Sequence, residues 1–263
     1  MKKIIIMLFC SSLLLISTSC SSKEAESKSH HTTLTISAAS SLSMVLGELG
    51  TLFEDKNPDI ELRFNFGASG ALQQQIKQGA PVDLFISAAA DKYDELVKGE
   101  YIHIGTNLVN NELVLITSKN AKRNVMHFRD LASEQIQKLA IGTPGVVPAG
   151  TYAQQVLESE GIWDSLQKKM ILSKDVQQVL TYVETGNVEA GIVYKTDAMH
   201  SDQVKIVAKA NPTHHEPIIY PVGVLEDSKH KKEALLFYEY LNSEETEPLW
   251  HQYGFDRIMN DKK

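Results

Sequence analysis

The chain has 263 residues, a formal net charge of −7 and a hydrophobic content of 43%. That apolar share suits a globular protein, and the acidic balance disfavours broad binding to nucleic acid. Only two cysteines are present, Cys10 and Cys20, so no disulfide framework is expected.

Lys2 and Lys3 open the chain, followed by a mostly apolar run from Ile4 to Ile16 that Cys10, Ser11 and Ser12 interrupt. A membrane span needs ~20 apolar residues, so this run fits the hydrophobic region of a secretory signal peptide instead. It ends at Ser17-Thr18-Ser19-Cys20. Small residues directly before a Cys resemble the lipobox of bacterial lipoproteins, although Ser17 stands where that family usually has Leu. The resemblance implies a signal peptide over 1–19, removed together with Cys10, and a diacylglycerol on Cys20. The protein is then extracytoplasmic and anchored to the cell membrane by that lipid. The bland alternative is a secreted protein with a stray Cys. Residues 20–33, rich in Ser, Lys, Glu and His, read as a flexible tether. His30-His31 within it is a weak candidate for metal, but a solvated linker accounts for it.

From Leu34 onward strands and helices alternate. Leu34–Ala38 reads as a buried strand. Apolar residues then recur at helical spacing from Leu42 to Phe53, and Asn57-Pro58-Asp59 breaks that helix. A half-buried strand is expected over Ile60–Phe66, a helix over Ala71–Gln78, a strand over Val82–Ser87 and a helix over Asp91–Lys98. Strands follow at Leu113–Thr117 and Leu139–Gly142, then helices at Tyr152–Ser159 and Val176–Thr185. Short strands are expected at Gly191–Tyr194, Val204–Val207 and Tyr220–Leu225. Helices at Lys229–Leu241 and Thr246–Tyr253 close the chain. Repeated strand–helix units predict an α/β fold with mainly parallel sheets and helices on both faces. No repeat of solenoid length is present.

Four places share one grammar, in which a strand ends, small residues follow and a helix begins: Ala38-Ala39-Ser40-Ser41-Leu42, Phe66-Gly67-Ala68-Ser69-Gly70, Val147-Pro148-Ala149-Gly150-Thr151 and Ser173-Lys174-Asp175-Val176. The first N–H groups of a helix lack partners within it and sit at the positive end of its dipole, which makes such a start an anion site. A single Ser before a helix usually serves as a cap and nothing more. Four such starts in one α/β chain are stronger evidence, because ligands of open α/β sheets bind beyond the carboxyl ends of the strands.

AASSL, FGASGAL, GAPVDLFISA, VPAGTYA, SKDVQQVL and GIVYKTDA, in that order, resemble the molybdate-binding proteins (ModA family) of bacterial ABC importers. The likeness runs from about Leu34 to Phe255. It implies the type II periplasmic-binding-protein fold, with one lobe from 34–112 plus 223–263, a second from 113–222, and a hinge and ligand cleft between them. It also implies a ligand set of the Ser41 and Ser69 hydroxyls, the backbone amides of Ala149 and Val176, and the Tyr194 hydroxyl. Ser40 is a second choice beside Ser41. The bland readings are a half-buried strand Tyr at 194 and an ordinary first-turn Val at 176. The implied ligand is molybdate or tungstate, with no separate cofactor and no cation site. The implied partners are a membrane permease and its ATPase subunit, the protein itself acting as a monomer.

A site built of donors alone also rejects an anion that carries its own proton, since that proton needs an acceptor. Phosphate is thereby disfavoured, whereas sulfate remains an alternative that cavity size must separate. A hydrolase is the other alternative. No G-x-S-x-G elbow, phosphate-binding loop or H-E-x-x-H motif is present, and the His residues show no metal-ligand spacing, so no enzymatic activity is expected.

Overall fold

The computed structural model describes residues 31–121 and 125–258. The expected signal peptide and Cys20 lie outside the described residues. The first part of the fold runs β1 (Thr32–Ala39), α1 (Ser43–Lys56), β2 (Ile60–Gly67), α2 (Ser69–Lys77), β3 (Leu84–Ile86), α3 (Ala90–Lys98) and β4 (Ile102–Asn110). The second runs β5 (Leu113–Ser118), β6 (Leu139–Gly142), α4 (Pro148–Ser159), α5 (Trp163–Leu166), β7 (Met170–Ser173), α6 (Val176–Glu184), β8 (Ala190–Tyr194), α7 (Lys195–Met199) and β9 (Val204–Lys209). The chain then returns as β10 (Ile219–Leu225), α8 (Lys231–Leu241), α9 (Glu247–Gln252) and β11 (Asp256–Arg257).

Two sheets result, ordered β11-β4-β10-β3-β1-β2 and β7-β6-β8-β5-β9. The chain passes between them twice, after Asn110 and again before Ile219. Residues 219–222, placed with the second lobe on sequence, already pair with β3 and β4 in the first sheet.

The sheets are mixed rather than mainly parallel. β1 is parallel to β2 and β3, and β6 is parallel to β7 and β8. β10 runs antiparallel to β3 and β4, and β5 antiparallel to β8 and β9. The crossings dictate this. The strands that carry the site end at the boundary between the sheets, whereas β5 and β10 begin there. Each must therefore run away from the boundary, against its neighbours.

Burial follows position in the sheet. β1 is central, and Leu34, Ile36 and Ala38 are wholly buried. β2 is an edge, so Ile60 and Leu62 face the core while Arg63 and Asn65 are exposed on the other face. At the C-terminus Trp250 is fully buried, its indole N–H directed at the Leu241 carbonyl at 3.3 Å. Trp250 stacks edge-on against Phe255, which in turn meets Tyr220 of β10. The C-terminal helices are thereby fastened to the first sheet.

Candidate functional site

At the boundary between the sheets the strand ends enclose a small cavity. Ser40, Ser41, Ser69 and Ala88 line it from the first sheet, and Val147, Ala149, Val176 and Tyr194 from the second. All six residues singled out on sequence are thus brought together. None of the residues lining the cavity carries a charged side chain.

Each wall follows from local structure. β1 ends at Ala39, one 3-10 turn spans Ser40–Leu42, and α1 follows directly. β2 ends at Gly67 and α2 starts on Ser69 itself, which is fully buried. α4 begins at Pro148, four residues earlier than the sequence pattern suggested. Proline suits a first-turn position because the N–H it lacks would have had no partner there. Gly150 lets that turn lie on the end of β6, since a Cβ there would stand 2.0 Å from the Gly142 carbonyl oxygen. The N–H of Ala149 sits in this first turn, beyond reach of the helix's own carbonyls. Val176 opens α6 after Asp175, whose carboxylate accepts the Gln178 N–H at 2.8 Å.

The cap-only reading of the serines does not hold. No side chain caps the start of α1 or α2. Ser41 Oγ lies 3.0 Å from the Tyr220 hydroxyl, and Ser69 Oγ accepts the N–H of Ala88 at 2.9 Å. With an acceptor position occupied from behind, the Ser69 hydroxyl keeps its own proton for another partner. Ser40 lines the same cavity and is 7% exposed.

Two contacts join the sheets across the cavity. Tyr194 Oη donates to the Ala88 carbonyl at 3.2 Å, and Gly70 N donates to the Val146 carbonyl at 3.0 Å. A Cβ on residue 70 would stand 2.7 Å from that Val146 oxygen, so the approach requires glycine.

Burial pushes the Tyr194 and Tyr220 phenols well above their usual range, which keeps both hydroxyls protonated. The nearest buried carboxylate is Asp197, in the first turn of α7. It accepts the Tyr194 N–H at 3.1 Å and the Gln177 amide at 2.7 Å. Burial raises its pKa to about 7, with the negative charge of Asp175 acting in the same direction. Among the described residues no group of three or more His, Cys, Asp or Glu is placed to hold a cation.

Sequence reasoning missed three contributors. Ala88 follows a strand within the GAPVDLFISA segment, directly after Ser87, the same strand-end signal that marked the other walls. Tyr220 and Asn111 carry no such signal, because they reach the site only through the two crossings.

Two sheets joined by two crossings, with a cavity of hydrogen-bond donors between them, are the architecture of a receptor that encloses a small solute. The chain belongs to the family of bacterial extracellular solute-binding proteins, which it matches over residues 34–256. It is 46% identical, over 97% of its length and 98% of the relative's, to the Bacillus subtilis protein named "Putative ABC transporter substrate-binding lipoprotein YvgL". It is 34% identical to the molybdate-binding protein ModA of Haemophilus influenzae, covering 84% of this chain and 89% of that one. Among solved structures, the "substrate binding domain of putative molybdenum ABC transporter from Clostridium difficile" superimposes with a TM-score of 0.66 at 37% identity, covering 87% of this chain and all of that one. The fold is that of the periplasmic binding proteins, and the family is one of solute receptors, not enzymes. Among the described residues no helix is long and apolar enough to cross a membrane.

Proposed function

We propose that this protein is the extracytoplasmic receptor of an ABC importer that captures molybdate, and tungstate with it, and hands the anion to a membrane permease driven by an ATPase subunit. The observation that carries this reading is the cavity itself, in which neutral donors from both sheets converge and no charged side chain intrudes. The ligand donors are the hydroxyls and N–H groups of Ser41 and Ser69, the N–H groups of Ala149 and Val176, and the Tyr194 hydroxyl, whose proton turns from the Ala88 carbonyl to an anion oxygen. Ser40 stands beside them as the alternative serine. A hydrogen bond to a charged group contributes ~1.5–3 kcal/mol, so about seven give on the order of 10–20 kcal/mol before the costs of closure and lost freedom. That suffices for tight binding of a desolvated dianion without Lys or Arg.

Molybdate and tungstate each raise the melting temperature of the soluble domain, and phosphate leaves it unchanged. At a hundredfold excess over Kd the expected stabilisation is about 2.7 kcal/mol. Equal stabilisation by phosphate refutes the donor-only site, and calorimetric competition against sulfate separates the two proton-free anions.

The Cys20 segment and the relative named as a lipoprotein support a lipid anchor at the cell membrane. Cys20→Ser releases the protein from the membrane fraction; a variant still retained there argues against acylation of this Cys.

A further inference from the structure

Behind Ser41 lies a short chain of hydrogen bonds that the ligand set does not include. Asn111 sits on the first crossing between the sheets, and Tyr220 lies in β10 just after the second. The Asn111 carbonyl oxygen Oδ1 accepts the Glu112 N–H at 2.8 Å, which fixes which way the amide faces. Its Nδ2 therefore donates twice, to Thr196 Oγ1 at 2.9 Å and to Tyr220 Oη at 3.1 Å. Tyr220 is fully buried, and its hydroxyl, now accepting from Asn111, has Ser41 Oγ at 3.0 Å. A buried hydroxyl proton needs an acceptor. Ser41 Oγ, at 3.0 Å, is placed to take that proton, which leaves Ser41's own proton for the cavity.

We propose that Asn111 and Tyr220 are positioning residues that fix the direction of the Ser41 hydroxyl, so that the site offers Ser41 as a donor and denies it as an acceptor to any anion that brings a proton. The arrangement parallels Ser69, whose oxygen is occupied by the Ala88 N–H. It rests on the oxyanion-receptor reading above and adds to it the origin of selectivity. Each serine oxygen is supplied with a proton from behind, and each serine proton points forward. The supply to Ser41 starts at the crossings, so the selectivity of the site and the junction between the sheets share one set of hydrogen bonds.

Two variants test the relay without removing a ligand donor. Tyr220→Phe deletes the hydroxyl and keeps the ring that packs edge-on against Tyr194 and Phe255, each at 5.6 Å. Asn111→Asp keeps Tyr220 intact and reverses the relay: the phenol donates to the new carboxylate, and its oxygen then accepts from Ser41. The probes are molybdate and hydrogen phosphate, measured by competition calorimetry on each folded variant, with circular dichroism as the fold control. Asn111→Asp lowers molybdate affinity ~10- to 100-fold, the worth of one hydrogen bond to a charged group, whereas Tyr220→Phe, which leaves Ser41 free to face either way, lowers it less. Phosphate, which finds in the freed Ser41 oxygen an acceptor for its own proton, rises to measurable affinity in both variants, so the ratio between the two anions narrows. An equal loss for both anions, no change for either, or phosphate binding undetectable in both variants overturns the relay. A wild-type protein that binds no tetrahedral oxyanion overturns the receptor reading and the relay together. Wild-type selectivity that both variants retain overturns the relay alone.

Discussion

Ser41→Ala and Ser69→Ala each weaken oxyanion binding by ~1.5–3 kcal/mol, and the double variant loses roughly the sum. The two residues come from different helix starts, on α1 and α2, and engage different partners from behind, Tyr220 and the Ala88 N–H. Both meet the same anion, so the sum is an order-of-magnitude guide to the double variant. Converted to affinity, each single variant binds ~10- to 100-fold more weakly, and the double ~10²- to 10⁴-fold. Removal of the Ser69 oxygen also leaves the buried Ala88 N–H without its acceptor, which lowers stability by ~1–3 kcal/mol on top of the binding loss. Ser41→Ala likewise leaves the buried Tyr220 hydroxyl proton without the acceptor that Ser41 Oγ provides, at a comparable cost to stability. Titration of each variant with molybdate, paired with urea unfolding of the free protein, separates the two losses. Wild-type affinity in the double variant rules out both serines as ligands.

Asp197 gives the second large effect, on stability. Its folded pKa of about 7 lies above that of an unfolded Asp near ~3.9. Below pH ~4 the group is protonated in both states and carries no penalty. As pH rises from ~4 to ~7 the unfolded chain releases the proton while the fold retains it, so stability falls with rising pH. Above pH ~7 both states are ionised and the slope ends. About three pKa units at 1.36 kcal/mol each amount to about 4 kcal/mol. Asp197→Asn removes the titration and keeps the contacts, since the Gln177 amide can flip to accept from the new side-chain N–H while Oδ1 still accepts from Tyr194 N. Urea unfolding of both proteins from pH 4 to pH 8 should show their stability difference widening between pH ~4 and ~7 in favour of the variant. Parallel curves across that range show that Asp197 titrates like an exposed carboxylate. Lowered carboxylates such as Glu112 and Asp130 tilt both curves in the opposite sense and cancel in the comparison.

The walls of the site were legible because each is a local event. A strand end, a small residue and a helix start are written in adjacent letters, which marked the four helix starts, and the resemblance to the molybdate-binding proteins picked Ser41, Ser69, Ala149 and Val176 within them. The strands that were missed lack any local pattern. β4 buries only Leu108 and Val109 fully, and its place depends on its pairing with β10 and β11. β7 is a four-residue edge with Ile171 and Leu172 exposed, held by its register against β6. The parallel-sheet expectation failed for a similar reason. Strand direction at the crossings is fixed by where the chain enters each sheet, which no window of sequence contains. Tyr220 and Asn111 belong to the same class, because their partners lie 179 and 85 residues away in the chain.

The contact between Gly150 and Gly142 bears on how such a receptor can change its cargo. A side chain at 150 would drive into the end of β6, so the first turn of α4 has no freedom to advance toward that strand. The donors that this turn and the start of α6 present are main-chain groups, which substitution at Ala149 or Val176 leaves in place. Retuning the cavity for a larger or smaller tetrahedron is therefore a matter of moving whole elements. A lineage that switched anions would carry its differences in the packing beneath the helices, at positions that never meet the ligand.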